Sequence, residues 1–314
     1  MSSYIIRRII LLIPVLTSVA LVGFLVTHSM PGDPVQLMLG DFASPERIAA
    51  VRHQLGYDRP LYTQFWIYAT NLARGDLGQS LYLERSVNRA ILEHLEPTML
   101  LAFQGQLIGI VLAIPLGVIA AVKHRTWVDY SAIVGSLLGI SMPSFLLAII
   151  LILIFGVKLG WFPAVGYIPL SNAGIGVVKF LSLPSVTLGL IQAGLIARMT
   201  RSSMLDVLRK DYIRTARAKG LREKVVVYKH ALKNALIPTA TVIGLSFADL
   251  LGGTFVIETI FNIPGTGLMA ITAIYRRDYP LIQGSLMFVA GVYVFVNLLV
   301  DIVYAFLDPR IKYQ

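Results

Sequence analysis

Arg198–Pro238 reads RMTRSSMLDVLRKDYIRTARAKGLREKVVVYKHALKNALIP. It is a basic stretch set between two strongly apolar ones. Arg198, Arg201, Arg209, Lys210, Arg214, Arg217, Lys219, Arg222, Lys224, Lys229 and Lys233 face only Asp206, Asp211 and Glu223. Leu205, Leu208, Tyr212 and Ala216 recur at i, i+3, i+7 and i+11, which predicts one face of a helix. Gly220 suits the position just past a helix end, where φ turns positive. Val225, Tyr228 and Leu232 then predict one face of a second helix. The expectation is helix, tight turn, helix. Ala216, Ala218 and Gly220 are the small residues at the bend, where another protein's surface can come close.

Outward from this stretch the chain is apolar. Of 314 residues, 56% are hydrophobic and 14% charged, more apolar surface than a soluble domain of this length needs. There is no cysteine, so neither a disulfide framework nor a thiol site is available. The formal net charge of +10 would suggest a nucleic-acid partner in a soluble protein. Here the excess flanks apolar runs, and no nucleic acid is expected.

In chain order, Arg7 and Arg8 precede an apolar run that predicts a first transmembrane helix over Tyr4–Met30, too long for a signal peptide and without a cleavage site. Residues 31–96 are polar and balanced in charge. Ser44-Pro45-Glu46 is a helix start, and Gly56 its end. Leu61, Phe65, Tyr68 and Leu72 give an apolar stripe that ends at Gly75. Ser86 opens a third short helix carrying Val87, Ile91 and Leu95. Five further spans follow at Pro97–Val122, Asp129–Val157, Leu181–Leu205, Leu236–Ile263 and Tyr279–Leu307. Lys123, Arg125, the basic stretch, Arg310 and Lys312 mark the inside, so both termini are expected in the cytoplasm and residues 31–96 outside.

Gly105, Gly109, Ala113 and Gly117 form a small-residue stripe, as do Gly135 with Gly139, and Gly244 with Ala248 and Gly252. Such stripes let helices approach closely, within the chain or toward a partner subunit. Ionisable residues inside spans are Asp249, Glu258 and Asp301. Each is costly in hydrocarbon, which makes Asp249 and Glu258 candidates for a substrate path; a satisfied interhelical bond is the alternative for Asp249. No P-loop, no metal-spaced set among His28, His53, His94, His124 and His230, and no nucleophile motif occurs.

DYIRTARAKG (211–220) and HALKNALIP (230–238) resemble the cytoplasmic "EAA" loop of membrane subunits of binding-protein-dependent ABC importers. Arg214, Thr215 and Ala216 stand at the E, A and A positions, and Gly220 at the glycine. His230, Ala231, Leu232 and Lys233 stand at the later I-x-L-P positions, so the literal Glu and Pro are missing. MPGDPV (30–35), LGYDRPLYTQF (55–65), GDLGQSL (75–81), ETIFNIPGTG (258–267), RDYPLIQG (277–284) and NLLVDIVYAFLDPRI (297–311) are similar to the dipeptide, oligopeptide, glutathione and nickel subgroup.

The resemblance implies an all-α polytopic membrane protein of the type I ABC importer permease fold. It would have six transmembrane helices and a small helical extracytoplasmic segment between the first two. Residues 1–96 would hold the first span and that segment, and residues 97–314 a five-helix core with the coupling loop at about 206–235. Asp211, Tyr212, Arg214, Thr215, Ala216, Arg217, Ala218, Lys219, Gly220 and Leu221 would form the ATPase-coupling surface. The implied partners are a second homologous permease subunit, two ATP-binding subunits, an extracytoplasmic solute-binding protein and membrane lipid. The chain itself would need no cofactor, ATP and magnesium lying on the partner subunits. The implied activity is import of di- or oligopeptides across the cytoplasmic membrane, with nickel, glutathione or another small solute as the alternative. Charge alone leaves a lipid-headgroup contact open for the basic loop. An ion-coupled secondary transporter would need inverted repeats with broken helices, which are not apparent. A membrane enzyme would need a catalytic set.

Overall fold

The computed structural model describes residues 2–40 and 43–307, with side chains placed within residues 10–302 except Ala173. Arg7, Arg8, Arg310 and Lys312, used above to orient the chain, lie outside the described side chains. The chain packs as two compact units, one of Met1–Thr98 with Pro264–Val294, the other of Met99–Ile263 with Phe295–Gln314.

The first unit begins with helix α1 (Ser2–Ser29). Short helices α2 (Pro34–Leu39), α3 (Pro45–Leu55) and α4 (Leu61–Ala73) follow. Local chemistry sets their ends. Asp33 Oδ1 accepts from Val35 N at 3.0 Å, and Ser44 Oγ accepts from Arg47 N at 3.3 Å, each before a proline at the first helical position. Gly56 closes α3 with φ 74°. Phe65 and Tyr68 of α4 lie against Phe24 of α1, ring centroids 5.3 and 6.1 Å apart.

A two-residue hairpin, β1 (Gln79–Ser80) with β2 (Arg85–Ser86), leads into α5 (Val87–Val122). The short helix after Ser86 and the span after Pro97, separate in the sequence reading, are therefore one 36-residue helix. At 1.5 Å per residue it is about 54 Å long, well beyond a ~30 Å hydrocarbon core. Pro97 is absorbed within it, as lipid-facing helices allow. Helix α14 (Thr266–Arg276) and the first half of α15 (Tyr279–Leu307) complete this unit. Asp278, between them, is a buried hub: Ser80 Oγ and Tyr82 N donate to Oδ2 at 2.6 and 2.9 Å, and Leu281 N to Oδ1 at 3.1 Å.

The second unit is built around α9 (Val177–Leu208), which packs against α6 (Trp127–Ser141), α7 (Ser144–Leu151) and α12 (Leu232–Gly253). The span expected over 129–157 is broken. Helices α6 and α7, the latter continued by a π segment Ile152–Lys158, meet at 102°. At the break Met142 takes the extended conformation that the residue before a proline favours, ψ 126°, ahead of Pro143. Among the described residues five helices are long and apolar enough to cross a membrane, and the broken 127–158 pair taken as one adds a sixth. A second broken pair, α13 (Phe255–Phe261) with α14, brings the upper count to seven.

The small-residue stripe of α5 packs on α9 within the chain. A Cβ on Gly109 would stand 3.1 Å from Gln192 Cβ, and one on Gly117 2.7 Å from Ala197 O. Beside this contact runs an uncharged polar clamp. Gln192 Nε2 donates to Ser246 O at 2.9 Å, and Gln106 Nε2 to Ser246 Oγ at 3.3 Å. Three helices are thereby tied where no water competes; such bonds are worth about 0.6 kcal/mol each on average.

Candidate functional site: a seated amphipathic helix and the intramembrane acids

The basic stretch does not form one helix from Leu205 to Ala216. α9 ends at Leu208, Arg209 caps it, and a separate helix α10 spans Asp211–Ala218. Asp211 lies in its first turn, where a negative charge suits the helix dipole. Ile213 and Ala216 point inward, and Ile213 is 0% exposed. They join Val118, Ala121 and Met204 in one apolar cluster with Val226, Val227, Ala231 and Ala235. An eight-residue helix has no stability of its own, so this cluster is what holds α10 in place.

The second helix also differs from expectation. After α11 (Glu223–Val225) the chain winds as a π segment, Val226–Ala231, before α12. Val226 and Ala231 lie five residues apart, the π repeat, and both are buried. Val225 and Tyr228, expected to share one helix face from a 3.6 period, are both exposed. Tyr212 is likewise exposed, and its hydroxyl accepts from Asn234 Nδ2 at 3.1 Å.

The turn after α10 is a Schellman motif. Leu221 N donates to Ala216 O at 3.4 Å, and Gly220 N to Arg217 O at 2.9 Å, with Gly220 at φ 76°. Arg217 then clasps Glu223 through two bonds, Nε–Oε2 at 3.1 Å and Nη2–Oε1 at 2.7 Å. The bond to Glu223 holds the Arg217 guanidinium above its ordinary pKa. Thr215 Oγ1 donates to Asp211 O at 3.0 Å, and Arg214 pairs loosely with Asp211 at 3.3 Å. Of the ten residues expected on the coupling surface, Ala216 is therefore spent on the chain's own core. Asp211, Tyr212, Arg214, Thr215, Arg217, Ala218, Lys219, Gly220 and Leu221 are exposed together, a small, charged, firmly seated face.

Arg201 leaves this surface altogether. Its Nε and Nη2 reach Asp129 Oδ1 and Oδ2 at 2.5 and 2.8 Å. Asp129 is 1% exposed and also accepts from Arg125 N at 2.9 Å, with His124 Nδ1 at 3.1 Å. The cluster ties the start of α6 to α9. Sequence reading took Asp129 as a span boundary and Arg201 as a loop cation. The only signal was an acid opening one apolar run and an arginine closing another.

The intramembrane acids separate sharply. On α12, Gly244 and Ala248 turn inward; a Cβ on Gly244 would lie 2.2 Å from Val300 Cγ2. Asp249 is turned outward, exposed on the face that carries exposed Leu245. Glu258, the other candidate for a substrate path, is 0% exposed. Thr254 Oγ1 donates to its Oε1 at 2.9 Å. It is a buried fastening of α13, closed to solute in this conformation. Asp301 is partly buried and partnered within the chain. Among the described residues no group of His, Asp and Glu could hold a metal ion.

The structure thus defines a many-span helical membrane protein with a short charged helix seated on the ends of its spans. Its chain belongs to the family described as binding-protein-dependent transport system inner membrane component, whose model matches residues 113–313, while the family's N-terminal model matches residues 1–102. A dipeptide transport system permease protein of Alkalihalophilus pseudofirmus is 44% identical over all of both chains. A putative peptide transport system permease protein of Brucella abortus is 44% identical, and a glutathione transport system permease protein of Escherichia coli 42%, again over both full lengths. Among solved structures, the MetNI methionine ABC transporter in an inward-facing conformation gives a TM-score of 0.58 at 18% identity, covering 70% of this chain and 96% of that one. That similarity is one of fold.

Proposed function

We propose that the chain is one transmembrane subunit of an ATP-driven importer that moves di- or oligopeptides across the cytoplasmic membrane by alternating access. The full-length identity of 44% to a protein named as a dipeptide permease carries the substrate class. The seated α10 supports the coupling role. Its inward Ile213 and Ala216 make it move with α5 and α9, so a push on its outer face is passed to the spans rather than absorbed by a loose loop.

In this reading two ATP-binding subunits, holding ATP and magnesium, dock on the cytoplasmic side of this subunit and of a second, homologous permease. A soluble solute-binding protein delivers peptide from outside. Both termini and residues 198–236 face the cytoplasm, and residues 31–96 face out. The permease itself carries no catalytic group. Asp249 faces the boundary between the two permease subunits, where its carboxylate attracts a peptide ammonium group; an ionised acid facing lipid there would cost at least about 2.5 kcal/mol.

The test is uptake by the assembled importer in proteoliposomes, with labelled dipeptide, glutathione and nickel supplied in turn with their binding proteins. ATP-dependent dipeptide uptake that unlabelled glutathione does not displace supports the main reading. The 42% identity to a glutathione permease favours glutathione as the second reading. Uptake of glutathione alone would establish it.

A further inference from the structure

The first unit holds a polar cavity of about 430 Å³ that none of these roles uses. Leu37 and Met38 of α2 line it, with Arg47 of α3, Glu84 of the β1–β2 turn, and Arg276 and Arg277 at the end of α14. Three guanidinium groups thus face one carboxylate. Elsewhere in this segment Arg52 pairs with Asp33, and Arg85 and Arg89 share Glu93, while Arg59 and Arg74 have no ion pair among the described residues. Arg47, Arg276 and Arg277 make no ion pair among the described residues.

The cavity is held by a rigid frame. Asp278 takes bonds from Ser80, Tyr82 and Leu281, which locks the hairpin turn to the end of α14 and occupies both of its own oxygens. The Arg276 guanidinium lies 4.8 Å from the centre of the Tyr82 ring, whose face orients it. Arg277 Nη1 is enclosed and has no hydrogen-bond partner among the described residues. It fits because residue 32 is glycine, at φ 101°; a Cβ there would stand 1.9 Å from that nitrogen. Arg277, half-buried with Nη1 enclosed against Gly32, lies beside exposed Arg47 and Arg276, so the lining sets three guanidiniums against the one carboxylate of Glu84.

We propose that this cavity takes the free carboxylate of a short peptide, with Leu37 and Met38 receiving a side chain. This rests on the peptide-import reading and on residues 31–96 facing outward. It places a solute-recognition step on the permease's outer segment, at a site distinct from Asp249. The arginines form hydrogen-bonded forks to the carboxylate, and Glu84 disfavours solutes that bring a second negative charge. The phosphate of an outer-leaflet phospholipid offers the same oxyanion chemistry, and the experiment must separate the two sources.

The full chain in nanodiscs of phosphatidylcholine alone is titrated with Ala-Phe and with its C-terminal amide. Saturable binding of the free dipeptide, and binding of the amide weaker by at least about tenfold, is the expected result. Arg47→Gln and Arg276→Gln should each weaken the dipeptide and leave the amide unchanged. Equal binding of acid and amide, or no dipeptide binding by the unmodified chain, overturns the proposal. So does a spin-labelled phosphatidylglycerol that binds in an Arg276-dependent way while the dipeptide does not; the site then belongs to lipid. If the site fails these tests while the assembled importer still takes up Ala-Phe, the site inference alone falls. If the importer takes up no dipeptide, the peptide-import reading falls instead.

Discussion

Ile213→Ala separates the seat of α10 from its outer face. Ile213 is 0% exposed and touches the cluster formed by the ends of α5 and α9 and by the π segment. Burying an isoleucine side chain contributes about 1.5–3 kcal/mol, and truncation to alanine in a close-packed site costs about 2–5 kcal/mol. The remaining inward anchor, Ala216, offers one methyl group. At about 1.4 kcal/mol per tenfold, a loss near 3 kcal/mol raises the undocked fraction of α10 about a hundredfold. Hydrogen exchange in the assembled importer reads this directly. Amides of residues 211–218 should exchange about a hundredfold faster, while those in the middle of α9 should not change. Solute-stimulated uptake should fall with basal ATP hydrolysis intact. Ile213→Val, at about 0.5–1.5 kcal/mol, should give an intermediate result. Two outcomes refute the reasoning: unchanged exchange in Ile213→Ala, or fast exchange with normal uptake.

Gly220→Leu should leave the protein in the membrane and abolish solute-stimulated transport. Because a Cβ at Gly220 meets no atom within 4 Å, Gly220→Ala isolates the backbone strain of φ 76°, about 1–2 kcal/mol, and should cause a partial defect readable as ATPase uncoupling. Asp249→Asn should lower transport with assembly and basal ATPase preserved; normal transport by the Asn, Leu and Ala variants would remove Asp249 from the path, and failure to assemble would make it a structural bond. Asp129→Asn should destabilise by about 3–5 kcal/mol, since it strands Arg201, whereas Asp129→Leu with Arg201→Met should recover most of the loss. Thermal unfolding midpoints of the purified chain check both.

The readable parts of the chain were those set by neighbours in sequence. The Ser44-Pro45 start, the Gly56 end and the positive φ of Gly220 depend on residues within one turn, and each is found where it was expected. The stripe from Gly105 to Gly117 foretold close helix packing, and its partner is α9 of the same chain. What was hidden depended on winding or on distance. The π segment buries Val226, Val227 and Ala231, a winding that a 3.6 period cannot show. Pro143 marks the break in the 129–157 span, whereas Pro97 and Pro184 stay inside continuous helices, so a proline alone does not announce a break. Asp129 and Arg201 stand 72 residues apart, so neither announces the other. Gln106, Gln192 and Ser246 are uncharged and lie on three different helices, so nothing local in the sequence marks them as partners.

The proposed coupling role requires the exposed face of α10 to meet an ATP-binding subunit. The chain has no cysteine, so a single Ala218→Cys variant can carry a photoactivatable maleimide label at a defined, exposed point of that face. Illumination of the assembled importer should join this subunit to an ATP-binding subunit, and the same label at Gly160→Cys, in the loop after α7, should not. A label at position 218 that joins only lipid or the solute-binding protein would contradict the account.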